Sequence, residues 1–297
     1  MSGFKDWEQK NHAEDYLIYP QNIGENISID EVSLSKGEIY TFVTNKNGKG
    51  KRKTLIAAIK GTKSENIRSV LEIIPLEQRT LVKEVTMDMA SNMQLASRMS
   101  FPLASLVTDR FHVVKLVLDA LQHIRIKYRW QAIEDENKAI KTAREKGLTY
   151  IPPVLSNGDS PKQLLARSRY IIVKKPNEWT DNQKQRAELL FENYPILKEA
   201  YDHTLEFRNI YEEQLKFVAK DKMEYWIKKT TELKIKEFNT VANSLNYHFD
   251  TILNFFNNRQ TNANAESFNS KIKLFRANQR GVIDVKFFLF RLEKLFT

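Results

Sequence analysis

Three acidic residues occupy positions where a carboxylate is costly. Asp30 interrupts the strand-like run Asn26-Ile27-Ser28-Ile29-Asp30-Glu31-Val32, and Asp88 closes Val85-Thr86-Met87-Asp88. Glu266 lies near the start of a helical stretch, Asn262-Ala263-Asn264-Ala265-Glu266-Ser267-Phe268-Asn269. An ionised group inside a strand must be paired or must ligate a metal. Adjacent strands of one sheet can bring Asp30 and Asp88 together, and a packed helix can add Glu266. Such an all-oxygen set suits Mg²⁺ or Mn²⁺. Two such ions, about 3.5–4 Å apart, can activate an attacking oxygen and stabilise a leaving oxygen at phosphorus. Taken singly, each acid reads equally well as an exposed strand end or a first-turn helix residue favoured by the dipole. The joint pattern is what carries weight: an acid on the first strand, one after the fourth, and one on a late helix. Glu31 rivals Asp30, but one step along a strand reverses the face. Asp109 also follows a strand and competes with Asp88.

The elements that would position these acids come in a fixed order. Residues 1–25 read as an arm or short helix, punctuated by Pro20 and Gly24. Strands are expected over residues 27–34, 39–44 and 54–59. Gly37 and Asn47-Gly48-Lys49-Gly50 supply the turns of an antiparallel meander. Ile67, Val70, Leu71 and Ile74 repeat at helical spacing before Pro75. A fourth strand over 83–89, a short helix over 93–99 and a fifth strand over 104–108 follow. Strand pairing is not legible, but this order matches a mixed α/β sheet with helices on its faces. From residue 111 to about 249 the apolar spacing is almost wholly helical, interrupted by Pro152-Pro153, Asn157-Gly158 and Pro176. The expected organisation is an arm (1–25), the first part of the core (26–115), a helical insertion (116–250) and C-terminal helices completing the core (251–297).

Composition narrows the classes. The 297 residues are 41% hydrophobic and 28% charged, ordinary for a globular chain with a sizeable core. Lys and Arg outnumber Asp and Glu by 47 to 37, a net +10 that favours a polyanionic partner such as nucleic acid. The absence of cysteine excludes disulfides and thiolate zinc sites. No apolar run reaches the roughly 20 residues of a membrane span, and the N-terminus lacks a signal-peptide core. A bacterial cytoplasmic, nucleoid-associated protein is the expectation.

Around Glu266 the helix has two faces. Glu266, Asn269 and Lys273 share one; Phe268, Ile272 and Phe275 share another and are expected in the core. From Lys271 onward there are seven basic residues against two acidic ones. Lys271, Lys273, Arg276 and Arg280 are therefore candidate phosphate contacts. The turn from Lys46 to Lys53 is a second candidate DNA contact. Trp130, Trp179 and Trp226, in the helical stretch, are expected to pack between helices rather than to stack on bases.

Three segments carry a family resemblance. Ser28-Ile29-Asp30-Glu31 resembles the first catalytic strand of DDE (Asp-Asp-Glu) transposases of the ISL3-like group. The stretch Val85-Thr86-Met87-Asp88-Met89-Ala90, then Phe101-Pro102, then Val107-Thr108-Asp109-Arg110-Phe111-His112-Val113 resembles the following part of those enzymes. Asn262 through Lys273 resembles their catalytic-Glu helix. Within the group, the likeness is to a short-chain Bacteroidetes-type subgroup lacking the N-terminal DNA-binding region. The resemblance covers residues 26–297 and implies a ribonuclease-H-like mixed sheet with a large all-helical insertion. It implies Asp30, Asp88 and Glu266 as catalytic, metal-holding residues, with two Mg²⁺ or Mn²⁺ ions. Related enzymes carry Asp or Cys, two residues, then His as a separate motif. Asp109 and His112 fit it and are expected, with Asn269, to support the site.

The implied activity is strand cleavage at insertion-sequence ends followed by strand transfer to target DNA, in a homo-oligomeric DNA complex. A nuclease of the same fold that cuts without joining, and a non-catalytic domesticated DNA-binding protein, are the alternatives. Longer relatives carry a zinc-binding and helix-turn-helix region. The expectation is that a separate small DNA-binding protein supplies it, the alternative being a truncated copy.

Overall fold

A computed structural model of the chain describes residues 3–35, 37–259 and 263–297, with the side chains of Ser35 and of residues 263–265 outside that description. The chain forms two compact units, one of Met1–Val113 with His248–Thr297 and one of Val114–Tyr247.

The first unit is built on a six-stranded mixed sheet. Its strands are β1 (Tyr16–Ile18), β2 (Asn26–Ser35), β3 (Glu38–Asn45), β4 (Leu55–Lys60), β5 (Glu84–Met87) and β6 (Ser105–Thr108), in the order β1-β4-β3-β2-β5-β6. The meander β2-β3-β4 is antiparallel, whereas β2-β5 and β5-β6 are parallel. Parallel neighbours need crossovers. Helices α1 (Ser64–Leu71) and α2 (Leu76–Arg79) lie between β4 and β5, and α3 (Ser91–Ser100) joins β5 to β6. This is the ribonuclease-H-like α/β architecture. The segment read as an arm is partly built into it: Tyr16–Ile18 pairs antiparallel with β4 as an edge strand. Three residues are too few for alternation to announce a strand, and only pairing with β4 makes it one.

Alternation along β2 sorts its residues onto two cores. Ile27 and Ile29 face Val43, Ile56, Ile67, Leu71, Met87 and Met93 beneath α1 and α3. Val32 and Leu34 face Tyr40, Phe42, Phe268, Ile272 and Phe288. The latter face is covered by α12 (Ala263–Asn278) and α13 (Val285–Phe296), which follow the short helices α10 (Phe249–Leu253) and α11 (Phe255–Asn258). Phe268 and Ile272 are fully buried, and Phe268 packs edge-on against Phe42 and Phe296. The aromatic stripe of α12 is core.

The second unit is all-helical. The 36-residue α4 (Arg110–Glu145) runs into it, followed by α5 (Pro161–Arg167), α6 (Asp181–Asn193), α7 (Pro195–Ile210), α8 (Lys216–Glu232) and α9 (Lys236–Tyr247). Pro161 and Pro195 open helices, where the missing N–H costs nothing. Trp226 is buried, stacks on His203 at 4.2 Å between ring centroids, and donates to the His203 carbonyl. Trp179 is half-buried and donates to the Ile171 carbonyl. Trp130 departs from the expected packing: it is 58% exposed. Helical spacing places a residue on a face but does not say whether another helix covers that face. Among the described residues, no helix is long and apolar enough to cross a membrane.

Candidate active site

The strand registers bring three acids to one region of the sheet. β2 and β5 pair with a constant offset of 58 residues, from Asn26↔Glu84 to Ser28↔Thr86; Asp30 lies two residues past the last pair on β2, and Asp88 two residues past it, just beyond the end of β5. β5 and β6 pair with an offset of 21, ending at Met87↔Thr108, and its continuation carries Asp88 onto Asp109. Asp88 and Asp109 therefore directly follow the carboxyl ends of β5 and β6, while Asp30 lies within β2; the charge of Asp88 acts on Asp30, and that of Asp30 on Asp109. Alternation puts Asp30 on the face of Val32 and Leu34, the face α12 covers. Glu31 takes the opposite face.

Each acid is held locally. Asp30 accepts from the Glu31 amide at 2.8 Å through Oδ1, and from the Asn269 side-chain amide through Oδ2. Asp88 accepts from the Ala90 amide at 2.8 Å, the loop that starts α3. Asp109 precedes α4 and accepts from the Phe111 amide at 3.3 Å through Oδ1. Its other oxygen, Oδ2, is buried and has no partner among the described residues, and neither does Oδ1 of Asn269. Glu266 is exposed in the first turn of α12. Asn262 and the side chains of Ala263, Asn264 and Ala265, which belong to the same motif, lie outside the described residues.

The electrostatics show which groups face one another. Burial pushes the Asp30 carboxyl up and the charge of Asp88 adds to this, while the Glu31 amide, His112 and Asn269 oppose it. Burial likewise raises Asp109; the Phe111 amide and His112 pull it down, and Glu266 and Asp30 push it up. Burial, Asp88 and Asp30 together raise Glu31. Asp30, Asp88, Asp109 and Glu266 are therefore linked in one field, with His112 as the basic group beside it. Among the described residues, no three His, Asp or Glu side chains converge into a ready metal cage. The donor chemistry nevertheless fits a hard divalent cation. The donors are all oxygens, one buried carboxylate oxygen lacks a partner, and mutual repulsion and desolvation raise the acids.

Two features were missed from sequence. His248 accepts from the Gln94 side-chain amide at Nδ1 (2.9 Å) and sits within the field of Asp88; burial holds its pKa below the ordinary histidine value, against the pull of Asp88. Nothing local in the sequence marks it. The second is a buried network one step behind the acids. Lys46 donates to Glu84 at 2.9 Å and to the Thr86 hydroxyl, and Asn258 donates to Glu84 at 3.2 Å. Glu84 and Thr86 alternate on one face of β5, with Asp88 just past its end, a signal that was available. Lys46 is only 4% exposed, which removes it from the expected DNA-contacting turn. Lys49, Lys51, Arg52 and Lys53 of that turn are exposed.

The expected phosphate contacts divide in two. Lys271 donates to the Gly50 carbonyl at 2.7 Å, and the Arg276 guanidinium to the Ser33 carbonyl at 2.9 Å, so both tie α12 to the sheet. Gly50 has φ +66°, a conformation that suits glycine at this approach. Lys273 and Arg280 are exposed and have no partner among the described residues.

The family model for ISL3-type DDE proteins, described as "Transposase", matches residues 27–292. A curated relative, the transposase for insertion sequence element IS1001 of Bordetella parapertussis, is 22% identical over 275 residues, 92% of this chain. The chain spans 61% of that relative's length.

Proposed function

Because this chain belongs to the ISL3-type family of DDE transposases, we propose that Asp30, Asp88 and Glu266 are its catalytic triad, cutting DNA at insertion-sequence ends and joining the freed strand to target DNA. The observation that supports this reading is that Asp30 and Asp88 each stand two residues past the last β2–β5 pair and feel one another's charge, with the helix that bears Glu266 packed against β2.

Asp30, Asp88 and Glu266 would hold Mg²⁺ or Mn²⁺, probed as two ions, with the unpartnered Asp109 oxygen close by. When bound, the metal polarises the phosphate and lowers the pKa of an attacking water or hydroxyl. The chain's own groups do the rest. Asn269 fixes the Asp30 carboxylate by donating to one of its oxygens, leaving the lone pairs on its other face for a cation. His112 lies beside Asp30 and Asp109 and balances part of their charge. Lys273 and Arg280 present free cations to the DNA backbone.

Cleavage forms a bond from water oxygen to phosphorus and breaks the bond to the 3′ oxygen, which leaves as a hydroxyl carrying a proton. In joining, that 3′-hydroxyl attacks a target phosphodiester and loses its proton, and the target's own 3′ oxygen leaves and gains one. Both are in-line displacements and need no covalent enzyme intermediate.

The test is strand cleavage and joining on element-end DNA. Asp88→Asn should lose cleavage by several orders of magnitude while retaining DNA binding. Retained cleavage refutes the assignment of Asp88. Wild-type protein that cuts but never joins precleaved ends identifies a nuclease instead, and one that binds DNA but neither cuts nor takes up Mn²⁺ identifies a non-catalytic binding protein.

A further inference from the structure

In the helical unit, a cleft of about 660 Å³ opens between α4 and the segment following α5. Its lining includes Gln122, Arg125, Ile126, Arg129 and Trp130 of α4, with Arg169 opposite. The α4 residues recur at spacings of three and four, so one helix face carries them all. Three guanidiniums share this cleft. Arg125 is 5% exposed and, among the described residues, its guanidinium is bonded to neutral acceptors, the Gln122 side-chain oxygen and the Leu165 carbonyl, each at 2.7 Å. The Nε of Arg129 is buried without a partner among the described residues. The Arg169 side chain is exposed and lies over the Tyr170 ring, itself 66% exposed. The carboxylate in the lining, Asp119, is already held by Lys115 at 2.7 Å. The positive charge is uncompensated enough that burial, then Arg129 and Arg169, pull the pKa of Arg125 down.

Crowded guanidiniums with no carboxylate paired to them are costly unless an anion completes them, and their planar forks match phosphate oxygens. Beside them Trp130 is 58% and Ile126 38% exposed. An indole left open next to cations is the pairing that takes a nucleobase and its phosphate together. Stacking on an indole needs a free base face, which a single strand offers and an intact duplex does not.

We infer that the cleft formed by Arg125, Arg129 and Arg169 is a second DNA site, which takes a single strand with its phosphodiesters on the guanidiniums and an unpaired base on Trp130. The inference rests on the reading that this chain handles DNA, but not on the assignment of the acidic triad.

The experiment is tryptophan fluorescence of the full chain titrated with a short oligothymidylate. Of the four tryptophans, Trp7 and Trp226 are buried. Oligothymidylate should quench the wild type, and Trp130→Phe should remove most of the quench. Trp130→Ala, at an exposed position that does not threaten the fold, should weaken binding by about tenfold. Arg169→Gln should reduce the slope of log affinity against log salt by about 0.7. A saturating oligonucleotide that leaves the Trp130 signal unchanged overturns the inference, as does an equal response to polyglutamate. Asp88→Asn should quench like wild type. A quench in a chain that never cleaves DNA removes the catalytic reading alone, and cleavage without a quench removes this one alone.

Discussion

Lys46 and Glu84 form an ion pair at 2.9 Å with side chains 4% and 3% exposed. The perturbation is Lys46→Met, which keeps the aliphatic stem and deletes the charge. At an effective dielectric constant near 20, the gross attraction across this distance is about 6 kcal/mol. Most of it offsets the cost of burying both ions, and removing one partner of such a pair typically costs 3–5 kcal/mol. Glu84 keeps the Thr86 hydroxyl and the Asn258 amide as donors. The loss should therefore fall at the lower end, about 3 kcal/mol. Urea denaturation should show the midpoint of the sheet unit falling by about 1–2 M at an unchanged slope. The double variant Lys46→Met with Glu84→Gln removes both charges and leaves an acceptor for Asn258 and Thr86, and should recover more than half of the loss. DNA affinity of the folded protein should hardly change, whereas Lys51→Ala with Lys53→Ala should lower affinity and spare the midpoint. A Lys46→Met cost below about 1 kcal/mol, or a loss of DNA affinity with no change in stability, would refute the buried-pair argument and return Lys46 to the DNA-contacting turn.

Further outcomes are expected elsewhere in the chain. Asp30→Asn removes a buried carboxylate whose pKa desolvation and the charge of Asp88 both raise. Its Tm in EDTA should rise by a few degrees and its increment on adding Mn²⁺ should vanish, and a lower Tm in EDTA contradicts the field described here. Asn269→Leu deletes a donor that favours ionised Asp30. The acid limb of the cleavage pH profile should therefore move to higher pH, and an unmoved limb argues against the contact. Burial depresses His203 from 6.5 to about 4, so the unfolded chain takes up the proton first. Its contribution is present in full above about pH 6.5 and is lost as pH falls through the window down to 4, by about 3 kcal/mol. Denaturation of the wild type against His203→Gln should show that difference in slope only within this window. Phe268→Ala empties a fully buried site between Phe42 and Phe296 and should cost about 3–5 kcal/mol in thermal or urea unfolding.

Sequence alone determined the elements and the residue types they carry. Strand-like runs bounded by the turns at Gly37 and Asn47-Gly48-Lys49-Gly50 marked β2, β3 and β4. The three- and four-residue spacings marked the long helical stretch, and polar residues inside apolar runs marked Asp30 and Asp88. Motif order, from Asp30 through Asp109-Arg110-Phe111-His112 to the helix of Glu266, carried the family. These signals are local, written within one turn or one strand.

Tertiary structure decided everything that depends on distance across the chain. Pairing of β2 with β5, more than fifty residues apart, brought Asp30 and Asp88 into one region of the sheet, and packing of α12 brought Asn269 to Asp30 across 239 residues of sequence. Tyr16–Ile18 became a strand because β4 had an open edge. Charge on a side chain does not reveal its solvent. Lys46 and Arg129 have the same sign, yet one is sealed against Glu84 and the other lines a cleft whose carboxylate, Asp119, is held by Lys115. Trp130 and Trp226 sit on equally helical stretches, and only the neighbour that covers Trp226 and leaves Trp130 open separates core from surface. Periodicity fixes the direction a side chain takes from its own backbone, whereas burial and pairing depend on what another segment places in that direction.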